Sequence, residues 1–234
     1  MIEVRTDSPP APPAAAAVFG DRLPVLEAYA AVLAGPGVER GLLGPRERPR
    51  LWERHLLNCS GLADLLLPGQ VVLDLGSGAG LPGLVVAAMR PDVTVLLVEP
   101  LLRRATFLSE AVAQLGLTGV LVRRARAEDL AGSLLVDVVT ARAVAPLDRL
   151  AGWALPLLHP GGRLLALKGE RADAELVAAA AALHEAGGAA ACVLEVGCAE
   201  WDTQARVVVV ERGPAAAAAP PAERAGRPRQ GMRR

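Results

Sequence analysis

The chain has 234 residues, 52% of them hydrophobic and 21% charged, enough apolar material for a single core with appendages. Its formal net charge is zero and its sequence pI is about 6.8. That balance excludes the global positive field of a general nucleic-acid coat, so any contact with a polyanion has to be local.

Residues 1–17 are rich in Pro and Ala, show no periodicity and read as a disordered tail. Pro9-Pro10-Ala11-Pro12-Pro13 interrupts the stretch where a signal peptide needs continuous apolar sequence, and no uncharged apolar run approaches the ~20 residues of a membrane span. The three cysteines, Cys59, Cys192 and Cys198, are odd in number and lack a C-x-x-C pair, which argues against both a disulfide framework and a zinc site. A soluble cytoplasmic protein without metal is expected.

Residues 18–67 form an expected helical cap, with one amphipathic helix from Phe19 to Ala34, a Gly-Pro turn and a second helix from Arg46 to Leu67. After Pro68-Gly69 the texture changes to short Val- and Leu-rich runs near 71–75, 93–99, 120–124, 136–140, 163–168, 192–196 and 206–211. Between most of these seven candidate strands lie helical patterns, at Leu81 to Met89, Leu101 to Leu115, Pro146 to Leu158 and Ala172 to Ala186. This βαβ alternation predicts a doubly wound α/β domain over 68–212 with a mostly parallel sheet. The link Gly197 to Ala205 is too short for a helical crossover, so the last two strands are expected to pair antiparallel. Residues 213–234 read as a second disordered tail, whose five arginines (Arg224, Arg227, Arg229, Arg233 and Arg234) are assigned no role.

The candidate ligand site begins at Val71-Val72-Leu73-Asp74-Leu75-Gly76-Ser77-Gly78-Ala79-Gly80-Leu81-Pro82-Gly83, where an apolar strand runs into a glycine turn. In an open α/β sheet, ligands bind beyond the carboxyl ends of the strands, and the first βα turn is the usual place. A Cβ there blocks both positive φ values and close approach of ligand to backbone. The spacing is D-x-G-x-G-x-G, and Leu81 stands where a dinucleotide fingerprint needs its third glycine, which weakens an NAD reading. Glu99, ending the second strand, is placed to accept hydrogen bonds from two ribose hydroxyls. Ala127-Glu128-Asp129 follows the third strand and can present a backbone NH or the Glu128 carboxylate to an adenine amino group. Adenosine without a pyrophosphate cradle points to S-adenosylmethionine, whose sulfonium tolerates the carboxylate of Asp74.

Four further features complete the pattern: Arg54-His55-Leu56-Leu57, the G-x-G-x-G-L-P-G form of the turn, Arg142-Ala143, and Leu167-Lys168-Gly169, in this order and spacing. Together these residues resemble the RsmG (GidB) family of bacterial 16S ribosomal RNA guanine-N7 methyltransferases, over about residues 19–212. The resemblance implies a Rossmann-like class I methyltransferase fold with seven strands, S-adenosylmethionine as cofactor and the small ribosomal subunit as partner. It places cofactor contacts on Gly76, Leu81, Ala127, Glu128 and Arg142, beside Gly78 and Glu99 from the turn and ribose arguments. Many members continue Arg-His with an acid and a serine, whereas this chain has Asn58 and Cys59 before Ser60.

Guanine N7 carries an in-plane lone pair and no proton at neutral pH, so transfer needs alignment and no general base. Arg142 and Lys168, with Arg54 and His55, are the candidates for positioning RNA and the target base, through guanidinium forks and an ammonium point charge. Lys168, the only lysine in the chain, also reads as a plain surface lysine. Arg46, Arg48, Arg50 and Arg54, and the cluster Arg123, Arg124 and Arg126, read either as a phosphate-binding rim or as solvated faces. His55 and Cys59 share a helix face, which core packing explains better than a nucleophilic pair. The alternatives kept open are methylation of another RNA or a small molecule, an NAD-dependent oxidoreductase, and a non-catalytic assembly factor. A monomer is the default expectation.

Overall fold

The computed structural model describes residues 8–197 and 203–214. The expected tails at 1–7 and 215–234, with their arginines, and Cys198 lie outside the described residues.

A seven-stranded sheet organises the molecule: β1 (Val71–Leu75), β2 (Thr94–Val98), β3 (Val120–Arg123), β4 (Val136–Arg142), β5 (Leu158–Lys168), β6 (Gly188–Val196) and β7 (Ala205–Arg212). Their spatial order is β3-β2-β1-β4-β5-β7-β6. The first five strands pair in parallel, and β7 inserts antiparallel between β5 and β6. The order reverses between β1 and β4, so the switch point of the sheet lies at the carboxyl end of β1, where the glycine turn begins.

Each face of the sheet is covered, as parallel strands require. One face, with Val72, Val95 and Val138, packs on α2 (Leu23–Val32), α4 (Gly83–Met89) and α5 (Leu102–Leu115) through Leu26, Leu84, Phe107 and Leu108. The other, with Leu73, Leu75 and Val139, packs on α6 (Leu147–Ala154) and α7 (Ala172–Glu185) through Leu150, Ala151 and Leu183.

Several sequence expectations are corrected by the coordinates. Residues 8–17 are not a disordered tail: Pro13–Phe19 forms helix α1, Ala15 is fully buried, and the indole NH of Trp52 donates to the carbonyl of Pro9 at 3.0 Å. Alanine is the best helix former, Pro13 suits the first helical position, and small side chains need only a flat apolar surface to dock on. The stretch from Phe19 to Ala34 is not one helix, since a tight turn at Gly20–Arg22 separates α1 from α2 and Leu33–Gly37 widens around Pro36. Nor is Arg46 to Leu67 continuous. It runs as a tight helical turn (Pro45–Arg50), a widened one (Leu51–Leu57), the single α-turn α3 (Asn58–Ser60) and another tight turn (Ala63–Leu65). Pro49 has no NH to give a regular ladder, and a widened turn of this kind re-aims the side chains that it carries. Helix α4 opens at Gly83, two residues later than expected, because the glycine turn persists to Gly80 at φ +98°. Strand β6 starts four residues early, at Gly188, on alanines of low strand propensity whose pairing comes from β7.

Candidate functional site

Two cavities open at the carboxyl ends of the strands. The smaller, about 190 Å³, lies over β1–β3 and is lined by Gly76, Val98, Pro100, Ala127, Glu128 and Trp153, among others. The larger, about 550 Å³, lies over β4 and β5 and is lined by Arg54, Asn58, Arg142, Lys168 and Glu175 around the loop Ala143–Pro146. Val144 lines both and is the wall between them.

The glycine turn is held from beneath. Gly76 sits at φ +69°, and a Cβ on it meets Val144 Cγ2 at 3.0 Å, so the backbone itself forms this side of the small cavity. Asp74 is fully buried; it accepts hydrogen bonds from the Gly83 NH at 3.1 Å and from Thr140 Oγ1 at 3.2 Å. Burial pushes its carboxyl up to about 6 against these bonds. The carboxylate expected beside a sulfonium is thus turned under the turn, where it pins the start of α4. Gly83 has to be glycine, since a Cβ there stands 2.6 Å from Asp74 Oδ2. Tyr29, from α2, donates its hydroxyl to the carbonyl of Ala79 at 2.8 Å. The sequence reading missed this support. A tyrosine on an otherwise apolar helix face was its only signal.

Glu99 follows β2 and is 2% exposed; its two oxygens accept the NH groups of Gly78 and Leu101, each at 3.0 Å. Each oxygen retains a second lone pair, so the carboxylate both ties the turn and keeps acceptor capacity for hydroxyl groups. Of the residues expected at the cofactor, Gly76, Ala127 and Glu128 line the small cavity and Arg142 the large one. Gly78 and Glu99 lie in the turn's own hydrogen-bond set, and Leu81 belongs to the core.

The large cavity collects Arg54, Arg142 and Lys168, which the sequence separates by more than a hundred positions. His55 does not reach it. His55 stands behind Arg142, 7% exposed, with Nδ1 2.5 Å from Arg142 Nη2 and Nε2 2.9 Å from Glu47 Oε2. Arginine is only a donor, so Nδ1 accepts, and Nε2–H donates to Glu47: the ring is neutral. Burial foremost, then the Arg142 charge, hold its pKa below the ordinary histidine value, while Glu47 opposes them. Arg142 Nη1 also donates to the His55 carbonyl at 3.4 Å and contacts Cys59 Sγ at 3.3 Å. Burial raises the Cys59 thiol despite that arginine, so it packs and does not attack. Glu47 carried no signal in sequence, lying eight residues before His55 in a segment read either as a phosphate-binding rim or as a solvated face.

Ala143, next to Arg142, has φ +54°, a left-handed conformation that costs a non-glycine residue roughly 1–2 kcal/mol. Lys168 is anchored by the carbonyl of Ala145 at 3.2 Å and by Glu175 Oε2 at 2.5 Å, so it is not a plain surface lysine. Of the first arginine series Arg54 lines the large cavity, while Arg48 is tied to the carbonyl of Ala34. Of the second, Arg126 lines the small cavity. Among the described residues no group of three or more His, Cys, Asp or Glu side chains is placed to hold a metal ion, and no helix is long and apolar enough to cross a membrane.

Residues 22–199 match the family model described as rRNA small subunit methyltransferase G. The chain belongs to this family. Relatives named ribosomal RNA small subunit methyltransferase G include one from Streptomyces avermitilis, 55% identical over 88% of this chain and 87% of its own length. Another, from Salinispora tropica, is 52% identical over 98% and 97%. Among solved structures, a SAM-dependent methyltransferase from Aquifex aeolicus superposes with a TM-score of 0.52 at 20% identity, over 71% of this chain and 94% of that one. A ribosomal protein L11 methylase from Lactobacillus delbrueckii gives a TM-score of 0.52 at 17% identity, over 67% and 77%. These likenesses show the class I methyltransferase fold. As a member of the methyltransferase G family the protein is an S-adenosylmethionine-dependent enzyme, and the oxidoreductase and non-catalytic alternatives fall. The cradle fits that cofactor: a backbone-walled cavity at the switch point, with an apolar lining and Glu128 at its rim.

Proposed function

We propose that the enzyme transfers a methyl group to N7 of one guanine in 16S ribosomal RNA of the small subunit, acting as a cytoplasmic monomer. The observation that carries this reading is the joining of two unlike cavities at Val144: one walled by backbone and apolar side chains, the other by Arg54, Arg142, Lys168 and Asn58. The first suits a nucleoside and the second a nucleotide with its phosphates.

S-adenosylmethionine supplies a methyl group on a positively charged sulfur. The turn from Gly76 to Gly80 would hold it through backbone contacts, with Glu99 available to ribose hydroxyls and the Ala127-Glu128 segment to adenine. Arg142, braced by His55 and Glu47, and Lys168, braced by Ala145, position the RNA on the other side of Val144. Guanine N7 has no proton to remove, so no side chain acts as base, and the site's work is to hold the two reacting partners in line. With two Phe, three Trp and one Tyr in the whole chain, recognition rests on RNA shape and phosphate contacts and not on stacking.

The test is transfer of labelled methyl from S-adenosylmethionine to intact small subunits and to deproteinised 16S RNA, followed by mapping of the product. A single N7-methylguanine is expected. Modification of another base or atom, or no transfer to either RNA despite cofactor binding, would overturn the reading.

A further inference from the structure

The large cavity contains a group that phosphate binding does not explain. Among the described residues that line it, Glu175 alone carries a carboxylate. An acid in a cavity otherwise lined by Arg54, Arg142, Lys168 and neutral groups repels a phosphate, so its presence calls for a different contact. Glu175 lies in the first turn of α7, and its side chain is 39% exposed; one oxygen meets Lys168 Nζ at 2.5 Å. Lys168 is 11% exposed and its ammonium is fixed from the other side by the Ala145 carbonyl.

Resting on the proposed transfer to guanine N7, we infer that Glu175 reads the Watson–Crick edge of the target guanine. That edge offers two adjacent donors, N1–H and the 2-amino group, and a carboxylate is the side chain that accepts both together. Adenine places a lone pair at N1, which the same carboxylate repels, so the contact both selects guanine and rejects adenine. The placement agrees with the geometry of a purine, whose N7 and Watson–Crick edges are neighbours that meet at O6. With N7 directed at Val144 and the small cavity, O6 and the Watson–Crick edge are left to the large cavity, which Lys168 and Glu175 line. O6 lies between the two edges, and Lys168, beside Glu175, is the donor placed for it. Glu175 is then a specificity residue that touches substrate, and the lysine holds it in place.

The experiment compares small subunits reconstituted with 16S RNA carrying guanosine or inosine at the modified position. Inosine lacks only the 2-amino group and keeps N7, O6 and N1–H. Loss of a hydrogen bond to a charged group predicts that wild-type kcat/KM falls roughly tenfold to a hundredfold on inosine. Glu175→Ala and Glu175→Gln should lose a similar factor on guanosine and accept the two bases alike to within about twofold, since neither offers two acceptors. Cofactor affinity, measured by calorimetry, should be unchanged in both. A wild-type enzyme indifferent to inosine, or variants that keep the full preference for guanosine, would overturn the assignment; the wild-type ratio decides it even when a variant fails to fold. If wild type methylates no guanosine N7 at all, it is the functional reading that fails.

Discussion

The two cavities are built on opposite plans. The small one is anchored by local chain, the end of β1 and the glycine turn at Leu75 and Gly76, with Glu99 tied to Gly78; its other walls are the ends of β2 and β3, Val144 and Trp153. The large one is made by distant chain, with Arg54 and Asn58 from the cap, the Arg142–Pro146 loop after β4, Lys168 ending β5 and Glu175 on α7. Backbone geometry specifies the first and paired charges the second. A cofactor of fixed chemistry suits a rigid backbone cradle, whereas an RNA target needs groups that exchange partners on binding.

The largest effect that would separate the two plans is expected at Gly76. Gly76→Val places a branched side chain at φ +69° against Val144, a strain and blockage that should cost roughly hundredfold in cofactor affinity, about 3 kcal/mol. Calorimetric titration reads the affinity and circular dichroism confirms that the sheet is intact; equal affinity would break the assignment of the small cavity.

On the other side, Lys168→Ala should leave cofactor affinity within about twofold of wild type and reduce turnover on small subunits roughly tenfold or more, because a charge-assisted contact is lost. A variant that loses cofactor affinity instead would show that the two cavities are not separable.

The pair of His55 and Arg142 sharpens the comparison through pH. His55 is neutral, with burial and Arg142 holding its pKa below the ordinary histidine value, and the groups facing it are Arg142, Glu47 and Arg54. As pH falls through the unfolded value, the unfolded chain gains a proton that the folded ring resists, so stability drops; falling further through the folded value charges Nδ1 against Arg142. Turnover should therefore show an acid limb below neutrality, present in wild type and flattened in His55→Gln. Cofactor binding through the small cavity should respond less over the same range. An acid limb unchanged in the variant would remove His55 from the positioning of Arg142.

The smallest effect is expected at Tyr29. Tyr29→Phe deprives the Ala79 carbonyl of its donor and should cost about 1 kcal/mol of stability, read as a shift in denaturation midpoint, with a slight weakening of cofactor binding. No change in either would mean that the cap does not support the glycine turn.

What was legible in sequence follows the same division. The seven strands, the parallel sheet, the antiparallel last pair and the glycine turn depend on residues close in sequence, and the structure has them, although β5 and β6 begin five and four residues before the expected runs. The cap was misread because its helical turns are broken by Pro36 and Pro49 and its first helix is made of alanine, which carries little hydrophobic contrast. Lys168 was singled out by its place at a strand end and Arg142 through the family resemblance, but Glu47, Tyr29 and Glu175 were not, because each acts on a residue brought near only by folding.

By itself the sequence determined the α/β class, the switch point where the glycine turn forms, and the family to which the chain belongs, because alternation, glycine spacing and strand-end residues are local properties of the chain. Only the tertiary structure decided that Asp74 pins the turn, that His55 is neutral behind Arg142, and that Glu175 shares a cavity with Lys168. Burial and charge pairing set those roles, and both depend on which distant side chains the fold brings together.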